Sequence, residues 1–119
     1  MKEENIIQEK SYAFSLRIIK LYDYLVKNKK EYILSKQVLR SGTSIGANVE
    51  EAIGGHSKND FSAKITIAYK EARETMYWLK LLRDGKKIDA AAAKSILKDC
   101  DEICRITASI QKSCNFKNL

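Results

Sequence analysis

Proline is absent from this sequence, and glycine occurs only five times in 119 residues. A chain so poor in turn formers is badly equipped for the many tight turns of a sandwich or barrel. Histidine occurs once, at His56, so neither a His-rich metal cluster nor a second imidazole base is available. No apolar run approaches the roughly 18 residues of a membrane span. The start, Met1-Lys2-Glu3-Glu4-Asn5, is polar and acidic, with no signal-like apolar stretch behind it. The expected location is cytoplasmic, with no membrane partner.

Lysine, glutamate, alanine, leucine and isoleucine are abundant, which favours an all-α chain forming one domain with its own core. Its most unusual stretch is Leu39-Arg40-Ser41-Gly42-Thr43-Ser44-Ile45-Gly46-Ala47-Asn48-Val49-Glu50-Glu51-Ala52. The glycines suggest a phosphate-binding loop, but no Lys-Ser or Lys-Thr follows the second one and no strand-like run leads in. Helical period explains the stretch better. Leu34, Val38, Ser41, Ile45, Asn48 and Ala52 recur at spacings of three and four, which places them on one face. Gly42 and Gly46 fall one turn apart on its flank, where a neighbouring helix could approach closely. Ser41 and Asn48 become polar residues at core or interface positions, and a buried asparagine can fix register and oligomeric state.

Four helices are expected, at about 4–28, 31–53, 58–83 and 89–113, in an antiparallel up-down-up-down bundle over residues 1–119. The first carries the stripe Ile7, Phe14, Ile18, Leu21 and Leu25; Asn28-Lys29-Lys30 is a weakly signalled turn. Gly54-Gly55 ends the second, and Ser57 or Asn59 caps the third. Phe61, Ile65, Ala68, Ala72, Met76, Leu79 and Leu82 face inward on that helix, while Ile67, Trp78 and Leu81 form a second apolar strip suited to a subunit interface. Asp84-Gly85-Lys86-Lys87 is the clearest turn, after which Asp89 caps the fourth helix; residues 115–119 are a frayed tail. Cys100, Cys104 and Cys114 lie within roughly 80° of one another on that helix, on the side of Ile96, Ile103 and Ile110. They are expected to be small buried hydrophobes, since a metal site would lack a fourth ligand.

The formal charge of +7 is unevenly spread. Residues 58–88 carry eight basic and four acidic side chains, whereas 89–119 carry five and four. A basic surface invites nucleic acid through counterion release. The candidate contacts are Lys64, Lys70, Arg73, Lys80, Arg83, Lys86 and Lys87 on and after the third helix, with Arg17 and Lys20 on the first. No arginine-rich cluster or stacking aromatic platform is visible beside them.

The segment from Arg40 to Ala52, together with Ser57, Asp60, Phe61, Lys70-Glu71, Glu74 and Tyr77-Trp78-Leu79, resembles the signature of a bacterial four-helix-bundle family whose members are encoded within 23S rRNA intervening sequences. The resemblance covers about the middle half of the chain. It implies an antiparallel four-helix subunit in a homopentameric ring. It also implies a more distant likeness to the accessory protein of diversity-generating retroelements, a basic pentamer that binds nucleic acid and a reverse transcriptase. No catalytic residues are established for the family, so no enzyme activity and no cofactor are expected. The expected partners are further copies of this chain and RNA or DNA. An adaptor for a nucleic-acid enzyme such as a reverse transcriptase, without direct nucleic-acid binding, is the alternative. Arg40, Ser41, Gly42, Ser44, Gly46, Asn48, Glu51, Glu71, Glu74, Ile67, Trp78 and Leu81 then form the packing and assembly signature. Within it Arg40 is expected to pair with Glu51, Glu71 or Glu74.

Overall fold

Helix ends show first how this chain turns without proline. The computed structural model describes residues 2–117, with side chains over residues 4–115. Within that range lie α1 (Lys2–Lys29), α2 (Leu34–Ile53), α3 (Lys58–Asp84) and α4 (Ala90–Lys117). α1 ends where Lys30 adopts a left-handed conformation (φ 53°), with the Glu31 amide donating to the Leu25 carbonyl at 3.0 Å. The second helix therefore starts at Leu34 and not at Glu31. The Glu31 carboxylate instead accepts from the Ser35 amide at 2.7 Å and stands in for the missing side-chain cap. Desolvation opposes its ionisation, but the amides of Ser35, Leu34 and Ile33 hold its carboxyl below the ordinary value.

The third helix begins as its sequence predicts, with Ser57 Oγ accepting from the Asp60 amide at 3.0 Å. It closes in a Schellman arrangement, Lys87 N–H to Leu82 carbonyl at 2.9 Å and Lys86 N–H to Arg83 carbonyl at 3.1 Å. The left-handed residue there is Lys86 (φ 62°), and Gly85 keeps a negative φ. Asp89 caps α4 by accepting from the Ala92 amide at 2.8 Å. That helix runs to Lys117, past the expected end at 113; Asn118 and Leu119 lie outside the described residues.

The helices form an antiparallel bundle 48 × 21 × 20 Å in which each packs on its two neighbours around the ring. Phe14, Ile18, Leu25, Val38, Ile45, Ile65, Leu79, Leu82 and Ile103 are the large buried side chains of the shared core. α2 nests most closely. Its glycines face α1, where a Cβ on Gly42 would lie 2.8 Å from Ile18 Cγ1 and one on Gly46 would lie 3.3 Å from Ser15 Oγ. Against α3, the buried hydroxyls of Ser41 and Thr75 are 2.8 Å apart, and Thr75 Oγ1 is also 2.8 Å from the Glu71 carbonyl. Asn48 is half-buried and donates to the Ser44 carbonyl of its own helix at 2.8 Å, so within the subunit it is not a core residue. The seam between α1 and α4 is the sparsest of the four. Ion pairs Lys10–Glu102 (2.9 Å) and Arg17–Asp99 (2.6 Å) span it.

Candidate nucleic-acid interface

Helix α4 sorts its charges by face. Asp99 and Glu102 turn toward α1, where Arg17 and Lys10 neutralise them. Lys94, Lys98, Asp101 and Arg105 recur at spacings of three and four and turn toward α3. From the other side α3 brings Arg73, Lys80 and Arg83 to the same place. The two helices thereby wall a groove of about 760 Å³ lined by six cations and one carboxylate. Asp101 is already engaged by Arg105 Nε at 2.8 Å, and Asp84 just outside engages Arg83 at 2.8 Å. No ion pair occupies Arg73, Lys80, Lys94 or Lys98 among the described residues. Such a cleft concentrates positive potential and attracts anions.

Aromatic rings stand among these cations, which the linear sequence does not suggest. Tyr69 is engaged: the Arg73 guanidinium sits 5.9 Å from its ring centre and donates to its hydroxyl at 3.1 Å. Tyr77 is 56% exposed and meets the Trp78 ring edge-on, at 5.2 Å between centroids. Met76, Leu97, Cys104 and Ala108 complete the apolar part of the lining. The hydrogen bond from Cys100, aided by Arg73 and opposed by burial, holds the Cys104 thiol below its ordinary value. That hydrogen bond and burial push Cys100 up. Cys100 and Cys104 are buried, as small hydrophobes, while Cys114 is only half-buried. No group of three or more metal-ligating side chains occurs among the described residues.

Of the nine cations expected to contact nucleic acid, the groove gathers Arg73, Lys80 and Arg83. Lys86 lines an adjoining concavity over the α3–α4 turn, which shares Arg83 with the groove. Lys20 and Arg17 line a recess between α1 and α4, and Arg17 is occupied by Asp99 and Ser95. Lys64 lies at the α2–α3 edge, paired with Glu51 at 3.0 Å. Lys70 is exposed outside the groove, and Lys87 approaches Glu31 near the other turn at that end. Lys94, Lys98 and Arg105 were missed. A count over residues 89–119 averages them against Asp99 and Glu102, whereas their helical spacing separates the two sets.

The signature residues fall on the other edge of α3. Arg40 bridges to Glu71 at 3.2 Å and also to Glu74, while Glu51 takes Lys64. Trp78 Nε1 donates to Glu74 at 2.9 Å; this bond and Arg40 hold the Glu74 carboxyl below its usual value against desolvation. Trp78 is thus half-buried against the core, and the expected strip is exposed only at Ile67 and Leu81. Ile33 near the start of α2 is exposed too, and α1 carries a separate unburied stripe of Tyr12, Leu16 and Ile19. Ser44 bonds back to the Arg40 carbonyl at 2.6 Å.

Comparison with known proteins agrees with the fold and the signature. Residues 3–109 match the family described as 23S rRNA-intervening sequence protein. A crystal structure of a protein with unknown function from the S23 ribosomal protein family of Bacteroides thetaiotaomicron is 47% identical. It superposes with a TM-score of 0.90, covering 92% of this chain and 98% of its own. A comparison with curated proteins returns no match. Among the described residues no helix is long and apolar enough to cross a membrane. With four antiparallel helices, the Arg40–Glu71–Glu74 signature and a match over residues 3–109, the chain belongs to the 23S rRNA-intervening sequence protein family.

Proposed function

We infer that this protein is a non-catalytic, ring-forming bundle of the cytoplasm whose α3–α4 groove binds RNA or DNA, in the setting of ribosomal RNA intervening sequences. The carrying observation is the groove itself: six cations face one carboxylate, and that carboxylate is already paired. Phosphate contacts from such a surface give affinity with little sequence preference. The ring, a homopentamer by family resemblance, draws support from two separate unburied apolar areas. One is Tyr12, Leu16 and Ile19 on α1; the other is Ile33, Ile67 and Leu81 along the α2–α3 edge. A cyclic assembly larger than a dimer needs two different surfaces on each subunit, because its contacts run head to tail.

The test combines native mass measurement with RNA and DNA binding at two salt concentrations. Affinity should fall steeply with salt, as counterion release requires. Salt-independent binding, or none at low salt, removes the reading. The second reading, an adaptor for a nucleic-acid enzyme, draws on exposed Ile67 and Leu81. A stoichiometric protein partner with no nucleic acid in the complex would favour it.

A further inference from the structure

We propose that the α3–α4 groove takes its nucleic acid as a single strand, one base stacking on Tyr77 while adjoining phosphates meet Lys80, Lys94 and Lys98. The proposal rests on the reading of that groove as a nucleic-acid site. Its starting point is the contrast between two tyrosines in one cleft. The Tyr69 ring already carries the Arg73 guanidinium, which also binds its hydroxyl. The Tyr77 ring has no cation over it, its hydroxyl has no hydrogen bond among the described residues, and more than half of the residue is open to solvent. An edge-on contact with Trp78 steadies it.

Position selects the ligand. Cys100 Sγ lies 3.4 Å from the Ala72 carbonyl, and Gln111 Nε2 lies 3.1 Å from Thr66 Oγ1. These contacts set the antiparallel register and place Tyr77 across from Leu97 and Lys98, with Lys80 one turn along its own helix. A ring flanked by unpaired ammonium groups suits a flat base whose own phosphates reach those cations. A duplex buries the faces of its bases and could meet only the cationic rim. A protein ligand would need a run of acidic side chains to answer Arg73, Lys80, Lys94 and Lys98, whereas every nucleotide brings its own phosphate. The track also continues past the groove. Arg83 is shared with a concavity of mixed charge that holds Tyr24, Lys29 and Lys86 beside Asp84 and Asp89, and Tyr24 in turn borders Lys20. A longer strand therefore meets a second unburied ring.

The test uses the full chain with single-stranded oligouridylate, oligothymidylate and duplex RNA, each about 20 nucleotides long. The uridylate and thymidylate arms separate RNA from DNA through the ribose hydroxyl. Single strands should bind about 10-fold tighter than duplex, and Tyr77→Ala should weaken them about 10-fold. Tyr77→Phe, which keeps a stacking face, should stay within about twofold. Salt dependence should be the same in all three proteins, since Tyr77 touches no phosphate. The sole tryptophan, Trp78, abuts Tyr77 and should change its fluorescence when a single strand binds. Tyr77 is exposed, so the variants should fold, which circular dichroism checks. Wild-type affinity in Tyr77→Ala, or equal affinity for duplex, overturns the proposal. If Lys94→Glu with Lys98→Glu still abolishes binding in that case, the groove holds phosphates alone and the broader reading survives. Absence of binding in every arm overturns both.

Discussion

Helices α2 and α4 meet α3 from its two sides, and they treat charge in opposite ways. On the α2 side Arg40 answers Glu71 and Glu74, Glu51 answers Lys64, and the interior is closed by the Ser41–Thr75 hydroxyl pair. On the α4 side Lys94 and Lys98 face Arg73 and Lys80 with hardly an acid between them. Balanced charge and close packing hold a subunit together. Uncompensated charge along an open groove adds nothing to folding, since like charges repel, and under the proposed function it serves a polyanion from outside. Under that proposal the contrast separates residues that make the bundle from residues that would hold its ligand.

That separation can be broken by substitution. The largest effect is expected at the groove. Lys94→Glu with Lys98→Glu should lower nucleic-acid affinity about 100-fold at low salt and flatten the salt slope by about 1.4. Both side chains are exposed, so unfolding free energy should shift by no more than about 0.5 kcal/mol. A large stability loss without loss of binding would invert the assignment of α4. Next comes the glycine seam. Gly42→Ala drives a Cβ to 2.8 Å and 2.9 Å from the two Cγ atoms of β-branched Ile18, which cannot swing aside cheaply. Overpacking should outweigh the helix-propensity gain and cost about 2 kcal/mol in denaturant unfolding. Gly46→Ala, whose nearest neighbour is Ser15 Oγ at 3.3 Å, should be close to neutral. Equal effects at the two glycines would show that α1 does not nest as described.

Smaller effects sharpen the contrast. Thr75→Val leaves the buried Ser41 hydroxyl without its partner and should cost about 1–2 kcal/mol. Arg40→Ala should cost less than about 1 kcal/mol, because the pair is half-exposed and screened. A change in native mass would instead place Arg40 at a subunit boundary. The same cluster carries a pH signature. Glu74 is held below the usual carboxylate value by Trp78 and Arg40, so its contribution is fully present above the unfolded value and fades as pH falls through the depressed one. Acid unfolding of Glu74→Gln should therefore lack that increment, whereas Glu51→Gln should retain it.

Much of the fold was legible because three-and-four spacing is a local signal. The glycine-dotted stretch could be identified as helix since Val38, Ser41, Ile45 and Ala52 keep the period through Gly42 and Gly46. The start of α2 was not legible. A glutamate that caps by reaching forward looks no different from one in a first helical turn. Asn48 shows a related limit: a half-exposed amide can bond within its own helix, and spacing does not say which ones do. The groove was half visible. Arg73, Lys80 and Arg83 stood out in a strongly basic segment, but Lys94, Lys98 and Arg105 were hidden by acids on the opposite face of α4. Tyr77 was recognised for its sequence signature and not for its ring, since its neighbours in space come from another helix.

Lys30 and Lys86 both occupy the left-handed backbone region, at the two inter-helix connections that share one end of the bundle. Glycine would sit there with less strain, by about 1 kcal/mol at each site. The chain thus carries two ammonium groups at that end at some cost in robustness, and Lys86 lines the concavity that Arg83 shares with the groove. Replacing both lysines with glycine should yield a hardier protein that is a poorer polyanion trap.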